Sequence, residues 1–371
     1  MLSVVLYIVS FLFVGYISNH FNGEKVQIQI QFWLCFLLLF VFFGFRDLSV
    51  LNDTAHYYRD MRDMMSTVSF DATPWYHIDL HARFEAGYQI FMRLIGLYIS
   101  RDPYSLIIIT SLITTISILL FLKKFTLHIS SCVFALLTTT CLEMQYCAFR
   151  QSLAISMSYL LCHFLQNGKV FKAVLCGVVA YFFHHSAIIL FLPFILYHLP
   201  FSKKNVLILI LVALSLSICI HSFLAIWGLD SNLYHEVSDN RTAPPIAAFF
   251  NLLFVVISLL IYFHAKKNYG QECTHDKLFE SFAMSSLFVN IISISYLILL
   301  RDDLYFFPYV IVLLVNSLFA LSNKRTCVYL LFLILLIRIL LVLEYRNEWF
   351  HLIPYSFFDF NLRFHNTFLG Y

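Results

Sequence analysis

The chain has 371 residues, of which 61% are hydrophobic and 12% are charged, with a net charge of +3 and a mean hydropathy of +0.81. Because so few polar side chains cannot coat a globular surface, this composition excludes a soluble globular protein. Repeated apolar runs, separated by short polar segments, predict an all-α polytopic integral membrane protein, since helices satisfy their own backbone in lipid.

The apolar runs predict about 12 transmembrane helices, within a range of about 10 to 13, in a single transmembrane domain that covers residues 1–371. The first run has no basic start and no small-residue cleavage site, so we interpret it as a helix rather than a removed signal peptide. The runs 170–185 and 187–200 are short, and one kinked helix is an alternative to two crossings. The predicted crossings are residues 2–18, 26–45, 103–122, 127–145, 148–166, 170–185, 187–200, 205–226, 246–265, 278–300, 303–321 and 326–344.

The lysines predict the orientation. All of them fall in alternate connections, which the positive-inside rule makes cytoplasmic, so both termini are expected on the outer side of the membrane. The predicted outer segments are then a long loop, 46–102, a second loop, 228–245, and a tail, 346–371. Within the long loop, residues 84–100 predict a short amphipathic or re-entrant helix.

Several sequence patterns of nucleotide and metal sites are missing. The chain has no glycine-rich phosphate loop, no acidic pair of the DxD type in an outer loop, no HExxH among its histidines and no CxxC among its cysteines. We therefore predict no metal site and no cofactor, and we expect no nucleic-acid partner.

Three arginines lie where apolar runs end on the predicted outer face: Arg46, Arg150 and Arg301. An arginine near a membrane is costly unless it has a partner or a function, and its planar fork of donors fits a phosphate. Converging from three helix ends, these arginines would form a clamp for a diphosphate. A local ion pair with Asp302 or Asp303 is an equally good interpretation of Arg301.

Three further residues are candidates for acid–base chemistry. His184 lies in an apolar hairpin, where a histidine is usually a packing residue but can accept a proton near neutral pH, whereas we expect the adjacent His185 to be structural. Asp53 is either a turn-forming residue after Asn52 or a catalytic carboxylate. Glu85 either complements a helix dipole or takes part in the chemistry.

Taken together, seven motifs resemble the EpsG-like polysaccharide polymerases, a family that overlaps the Wzy-type O-antigen polymerases. One position departs from the family pattern, since Asn52 stands where a glycine is usual. The motifs, in order, are Gly44-x-Arg46, Asp53-Thr54-x-x-Tyr57, Glu85-x-Gly87-Tyr88, Arg150-Gln151-x-x-Ala154, His184-x-Ser186-Ala187, Arg301-x-x-x-Tyr305-Phe306 and Pro354-Tyr355.

The resemblance implies a glycosyltransferase that moves a growing glycan from undecaprenyl diphosphate to the non-reducing end of a new lipid-linked repeat unit, for O-antigen, capsule or exopolysaccharide. It also implies a GT-C-like architecture, and partners in the same pathway such as a chain-length regulator and a flippase. An O-antigen ligase, which uses the same donor chemistry, and a flippase or exporter of lipid-linked oligosaccharide remain alternatives.

By the same resemblance, the three arginines would hold the diphosphate, and Asp53 or His184 would activate the acceptor hydroxyl. Glu85 would brace an arginine or bind sugar. The glycan path would be lined by four residues, Tyr57, Gln151, Tyr305 and Tyr355.

Overall fold

The computed structural model describes residues 1–67, 69–79, 83–198, 202–226, 245–269, 277–296, 299–321, 323–347 and 350–359. All but the last residue of the predicted second outer loop, 228–245, lies outside the described residues, as does the end of the predicted tail. The described residues are helical and contain no strand; Arg46 and Phe357 form one isolated antiparallel bridge.

Almost every predicted apolar run is helical. The helices are α1 (Leu2–Ser18), α2 (Glu24–Gly44), α3 (Thr54–Ser66), α4 (Ala86–Tyr98), α5 (Tyr104–Phe125), α6 (Ile129–Thr138), α7 (Cys141–Cys147), α8 (Phe149–Gln166), α9 (Val170–Phe183), α10 (Leu192–Tyr197), α11 (Lys203–Ile226), α12 (Pro245–Tyr269), α13 (Lys277–Ser293), α14 (Leu299–Asp302), α15 (Phe307–Ala320) and α16 (Lys324–Tyr345), with 3-10 turns at His185–Phe191 and Asp303–Tyr305.

Four of these helices are long and apolar enough to cross a membrane: α2, α5, residues Ala248–Asn268 of α12, and α16. A fifth span is present if the bent pair Leu299–Tyr305 and Phe307–Ala320 counts as one. Large apolar side chains are exposed along the apolar helices, as at Phe171 (82%) and Ile334 (62%), where lipid would cover them. The structure therefore confirms a helical, membrane-embedded protein, whereas the number of 12 crossings and the GT-C-like architecture stay predictions.

The chain forms two compact units. Unit 1 comprises Met1–His163, Val170–His185 and the described residues from Tyr329 onward, and unit 2 comprises Phe164–Lys169 and Ser186–Val328. In unit 1, helices α1, α2, α5 and α6 pack side by side. Most of the residues predicted for the site belong to this unit.

The predicted crossing 127–145 is interrupted between α6 and α7. Thr140 adopts a left-handed backbone conformation with φ of 62°, and the free carbonyl of Thr138 accepts a hydrogen bond from Arg338 of α16. A pattern of apolar residues does not reveal such a break, because the helices on both sides of it are buried, although α7 also carries the polar residues Glu143 and Gln145.

The long outer loop contains two helices. The sequence predicted a helix near α4, but it did not predict α3, whose apolar residues form one stripe on an otherwise polar helix and so give no apolar run. The polar residues of α4 hold the rest of the loop: Gln89 donates to the carbonyls of Asp79 and Phe84, and Arg93 donates to those of Phe70 and Thr73.

The segment 350–358 runs beside the residues that follow α2. The backbone N–H of Asp47 donates to Ser356, and the N–H of Phe358 donates to Phe45. The Tyr104 ring stacks on Phe358 at 4.0 Å. This pairing fixes the turn on which Arg46 is carried.

Candidate active site

Glu85 joins two of the predicted site residues in unit 1. Its Oε2 accepts a hydrogen bond from Arg150 Nη1 at 2.6 Å, and its Oε1 accepts one from His184 Nδ1 at 2.8 Å. The Glu85 side chain is 7% exposed, while those of Arg150 and His184 are 21% and 25% exposed. We call these three residues the Glu85 triad.

A close approach of two helices places Glu85 against His184. Glu85 is the N-cap residue of α4, and His184 directly follows α9. A Cβ atom at Gly87 would lie 2.7 Å from the carbonyl oxygen of Phe182, so only glycine allows this contact. The glycine of the Glu-x-Gly motif therefore sets the distance between the carboxylate and the imidazole.

The charges of the triad determine which ring nitrogen of His184 carries a proton. Burial by itself would raise the pKa of Glu85, but the hydrogen bonds from His184 and Arg150 and the positive charge of Arg150 lower that pKa to about 2. Because the carboxylate is ionised and can only accept, Nδ1 of His184 must carry the proton that it donates. In the neutral imidazole, Nε2 is then a proton acceptor.

Aromatic rings complete the surroundings of Arg150. Its guanidinium lies over the Phe84 ring, 5.1 Å from the centroid, and it interacts electrostatically with the Tyr57 hydroxyl. The Tyr57 ring stacks on Phe149 at 4.5 Å and is 6% exposed. The predicted glycan residue Tyr57 therefore contacts the triad, with its ring face covered by Phe149.

A cleft of about 290 Å³ borders the triad at Glu85. Its wall includes Arg83, Phe84 and Gln89, together with His185, which the sequence analysis assigned a structural role. Charged and amide groups beside an aromatic ring are suited to hydrogen bonding and stacking with a sugar.

Arg46 has a different environment. Its side chain is 0% exposed and donates to Thr54 Oγ1 (3.0 Å), Ser111 Oγ (3.2 Å), the Tyr146 carbonyl (3.0 Å) and the Phe43 carbonyl. Burial lowers the pKa of Arg46 to about 10, which leaves the guanidinium charged at neutral pH. Because the Arg46 guanidinium already binds four acceptors, we expect Arg46 to stabilise the fold rather than to contact a diphosphate.

The other predicted residues of unit 1 lie around this framework. Asp53 is the N-cap residue of α3, makes no side-chain capping bond, and accepts the Tyr57 N–H through its carbonyl. Gln151 is 3% exposed on α8. Tyr355 donates its hydroxyl to the Phe42 carbonyl and stacks on the Phe42 ring at 4.0 Å.

Two predicted residues belong to unit 2. Arg301 lies on α14 and is exposed, whereas Tyr305 is 0% exposed, with its hydroxyl 3.4 Å from Ser186 Oγ. The diphosphate role of Arg301 and the glycan role of Tyr305 stay predictions.

Several contributing residues were missed from the sequence. Ser111, which binds Arg46, and Phe84 and Phe149, which contact Arg150 and Tyr57, were not singled out. Thr54, which also binds Arg46, was named within a motif but was given no role. Phe84 and Phe149 each directly precede a motif residue, Glu85 and Arg150, and this adjacency is the signal that could have found them. Among the described residues, no group of three or more histidines, cysteines or acids is placed to bind a metal ion.

Comparison with known proteins identifies the family but no individual relative. No curated protein and no solved structure matches the chain. The sequence matches the EpsG family over residues 29–357, a range that includes the Glu85 triad, Arg46 and Tyr355. This match confirms the resemblance of the ordered motifs, and the chain belongs to the EpsG family.

Proposed function

We propose that this protein is a polysaccharide polymerase that transfers a growing glycan from undecaprenyl diphosphate to a new lipid-linked repeat unit, on the outer face of the bacterial inner membrane. The observation that carries the proposal is the Glu85 triad, because it combines a cation, a proton acceptor and an aromatic-walled cleft. Membership of the EpsG family supports a polymerase role.

His184 is the proton acceptor in this proposal. The acceptor hydroxyl attacks the anomeric carbon of the donor sugar, and its proton moves to Nε2 of His184. Glu85 holds the imidazole in the required tautomer through Nδ1 at 2.8 Å and stabilises the imidazolium that forms.

Arg150 stabilises the leaving group. As the bond between the anomeric carbon and the diphosphate oxygen breaks, the electron pair leaves with the diphosphate, which gains negative charge. A guanidinium held at 2.6 Å by Glu85 and still 21% exposed is already oriented toward such a charge. Arg301 is a second candidate cation for the same diphosphate.

Arg46 has an indirect role. It ties the turn after α2 to α5 and α7 through Ser111 and the Tyr146 carbonyl, and to α3 through Thr54. Because α3 carries Tyr57, which contacts Arg150, this network supports the position of the cation.

A gene deletion complemented with variants tests the proposal. The deletion strain should accumulate lipid-linked single repeat units and lose the ladder of polymer lengths on a gel. Complementation with Glu85→Gln or His184→Gln should not restore the ladder, although the protein reaches the membrane at normal levels. His56→Gln, a histidine exposed on α3, is the matched control and should restore the ladder.

The same experiment separates the alternatives. A ligase would leave no repeat unit attached to the final acceptor, and a flippase would leave the lipid-linked unit accessible only from the cytoplasmic side. A normal ladder in both Glu85→Gln and His184→Gln, at normal protein levels, would contradict the assignment of the triad.

A further inference from the structure

A buried acid lies at a helix break in unit 2. The pair Leu299–Tyr305 and Phe307–Ala320 bends by 57° and passes as a membrane span when taken together. Asp303 starts the 3-10 turn at this break and is 3% exposed. Because an ionised carboxylate in such surroundings is costly, Asp303 needs a compensating partner.

The neighbouring helix α13 supplies polar but neutral groups. Asn290 Nδ2 donates to Asp303 Oδ2 at 2.6 Å and to the Ser286 carbonyl at 2.9 Å, and Asn290 is 0% exposed. Since both acceptors are oxygens without a proton to give, the carboxamide cannot be turned round, so its Oδ1 points away from them.

One side-chain oxygen of Asp303 and one of Asn290 remain without a hydrogen bond in the part of the chain that the structure describes. Asp303 Oδ1 and Asn290 Oδ1 are both buried and have no hydrogen-bond partner among the described residues. The Ser286 hydroxyl, which interacts with Asp303 and is 0% exposed, adds a third oxygen. Unpaired buried polar atoms call for an explanation, and a bound ion is one of those that this oxygen-rich group allows.

No positive charge compensates Asp303 within the described part of the chain. None of the ion pairs found there includes Asp303, and the charged group that acts on it is another acid, Asp302. The other acid of α13, Glu280, is occupied by Lys266 and by the Tyr262 hydroxyl. The negative charge of Asp303 would therefore be unbalanced without a bound cation.

We propose that Asp303, Asn290 and Ser286 form a buried binding site for one sodium ion. Carboxylate, carboxamide and hydroxyl oxygens are hard ligands suited to an alkali-metal ion, and breaks in membrane helices are recurrent places for such sites. A bound sodium ion removes the unbalanced charge of Asp303.

The site lies two residues from a predicted glycan residue. The Asp303 carbonyl accepts the Phe306 N–H at 2.8 Å, and this turn carries Tyr305. A bound cation would therefore stabilise the backbone that positions Tyr305. The proposal does not depend on the polymerase activity, because it concerns binding to the protein alone.

Thermal unfolding of the purified full-length protein in detergent tests the site. Sodium chloride is compared with choline chloride at constant ionic strength and constant pH. The Tm of the wild-type protein should rise by several degrees with sodium, because the ion binds the folded state.

Two variants and one control complete the experiment. Asp303→Asn, a neutral isostere, should remove the response to sodium, and Asn290→Ala should raise the sodium concentration of half-maximal effect about tenfold. Ser281→Ala removes a buried hydroxyl of α13 that donates to its own helix at Leu278, and it should leave the response unchanged. A wild-type Tm that is the same in sodium and in choline would overturn the proposal, as would an unaltered response in Asn290→Ala.

Discussion

Arg46 and Arg150 belong to the same unit and were both predicted to bind a diphosphate, yet their surroundings differ. Arg46 is 0% exposed and surrounded by oxygen acceptors of four helices, α2, α3, α5 and α7. Arg150 has one carboxylate partner, a tyrosine and an aromatic ring, and its side chain is 21% exposed. An arginine whose donors are used by backbone and hydroxyl groups holds a fold together, whereas one oriented by a single carboxylate can also bind a ligand.

The largest effect is expected from Arg150→Ala. Polymer formation should fall by at least about 100-fold, because the cation that faces the leaving group is lost while the fold has other supports. The measurement is the glycan ladder, normalised to the amount of protein in the membrane. Arg62→Ala, an exposed arginine of α3, should keep a normal ladder. A ladder of normal length in Arg150→Ala would show that the cation is elsewhere.

Arg46→Ala should act on stability first. It leaves Thr54, Ser111 and two carbonyls without their donor, and the loss of a buried charged partner costs roughly 3–5 kcal/mol. We expect low levels of folded protein, measured by thermal unfolding in detergent. If the variant is instead stable and inactive, Arg46 takes part in the reaction and the contrast with Arg150 is wrong.

Gly87→Ala should separate the carboxylate from the imidazole without removing either. The new methyl group would lie 2.7 Å from the Phe182 carbonyl, so α4 and α9 must move apart, and polymer formation should fall about tenfold, as expected for a misplaced catalytic pair. Gly177→Ala on α9 is the matched control, since its methyl group would meet Leu161 at 3.4 Å, an ordinary contact. Equal activity of the two variants would contradict the role given to this close approach.

Tyr355→Phe should have a small effect on stability alone. It removes the hydroxyl that donates to the Phe42 carbonyl but keeps the stacked ring, so the cost is about 1 kcal/mol, seen as a small decrease in Tm. The distribution of polymer lengths should not change. A shift toward shorter chains would support the glycan-binding role that the resemblance implies for Tyr355.

The last effect is absent at neutral pH and appears only at acid pH. The pKa of Glu85 is lowered from 4.5 to about 2, so its ionised form stabilises the fold above pH 4.5, and this contribution is lost as the pH falls from 4.5 to about 2. As the pH falls through this range, the Tm of the wild-type protein should therefore decrease more than the Tm of Glu85→Gln. If the two Tm values decreased in parallel, the triad would add no such stability.

The sequence predicted the helices well because membrane helices must be apolar along their length. It could not predict the break at Thr140, where the backbone conformation depends on a partner, Arg338, that is remote in sequence. It did not predict α3, since a polar helix on a membrane protein lacks the apolar signal.

The candidate site shows a similar limit. The ordered motifs selected Glu85, Arg150 and His184, which the structure brings together over separations of 65 and 99 residues. The exposure of the two arginines could not be predicted, because Arg46 and Arg150 both follow apolar runs. They differ only in partners that are distant in the sequence. Among the partners of Arg46, Ser111 and Tyr146 lie 65 and 100 residues away.

The pairing of residues 350–358 with the turn after α2 has a consequence for biogenesis. Phe42 and Tyr355 are 313 residues apart, and α16 lies between them, so the ribosome must have synthesised the last long apolar helix before this contact can form. The turn that carries Arg46 is therefore made early and completed late during membrane insertion. Until then, the turn lacks the backbone hydrogen bonds that it exchanges with Ser356 and Phe358.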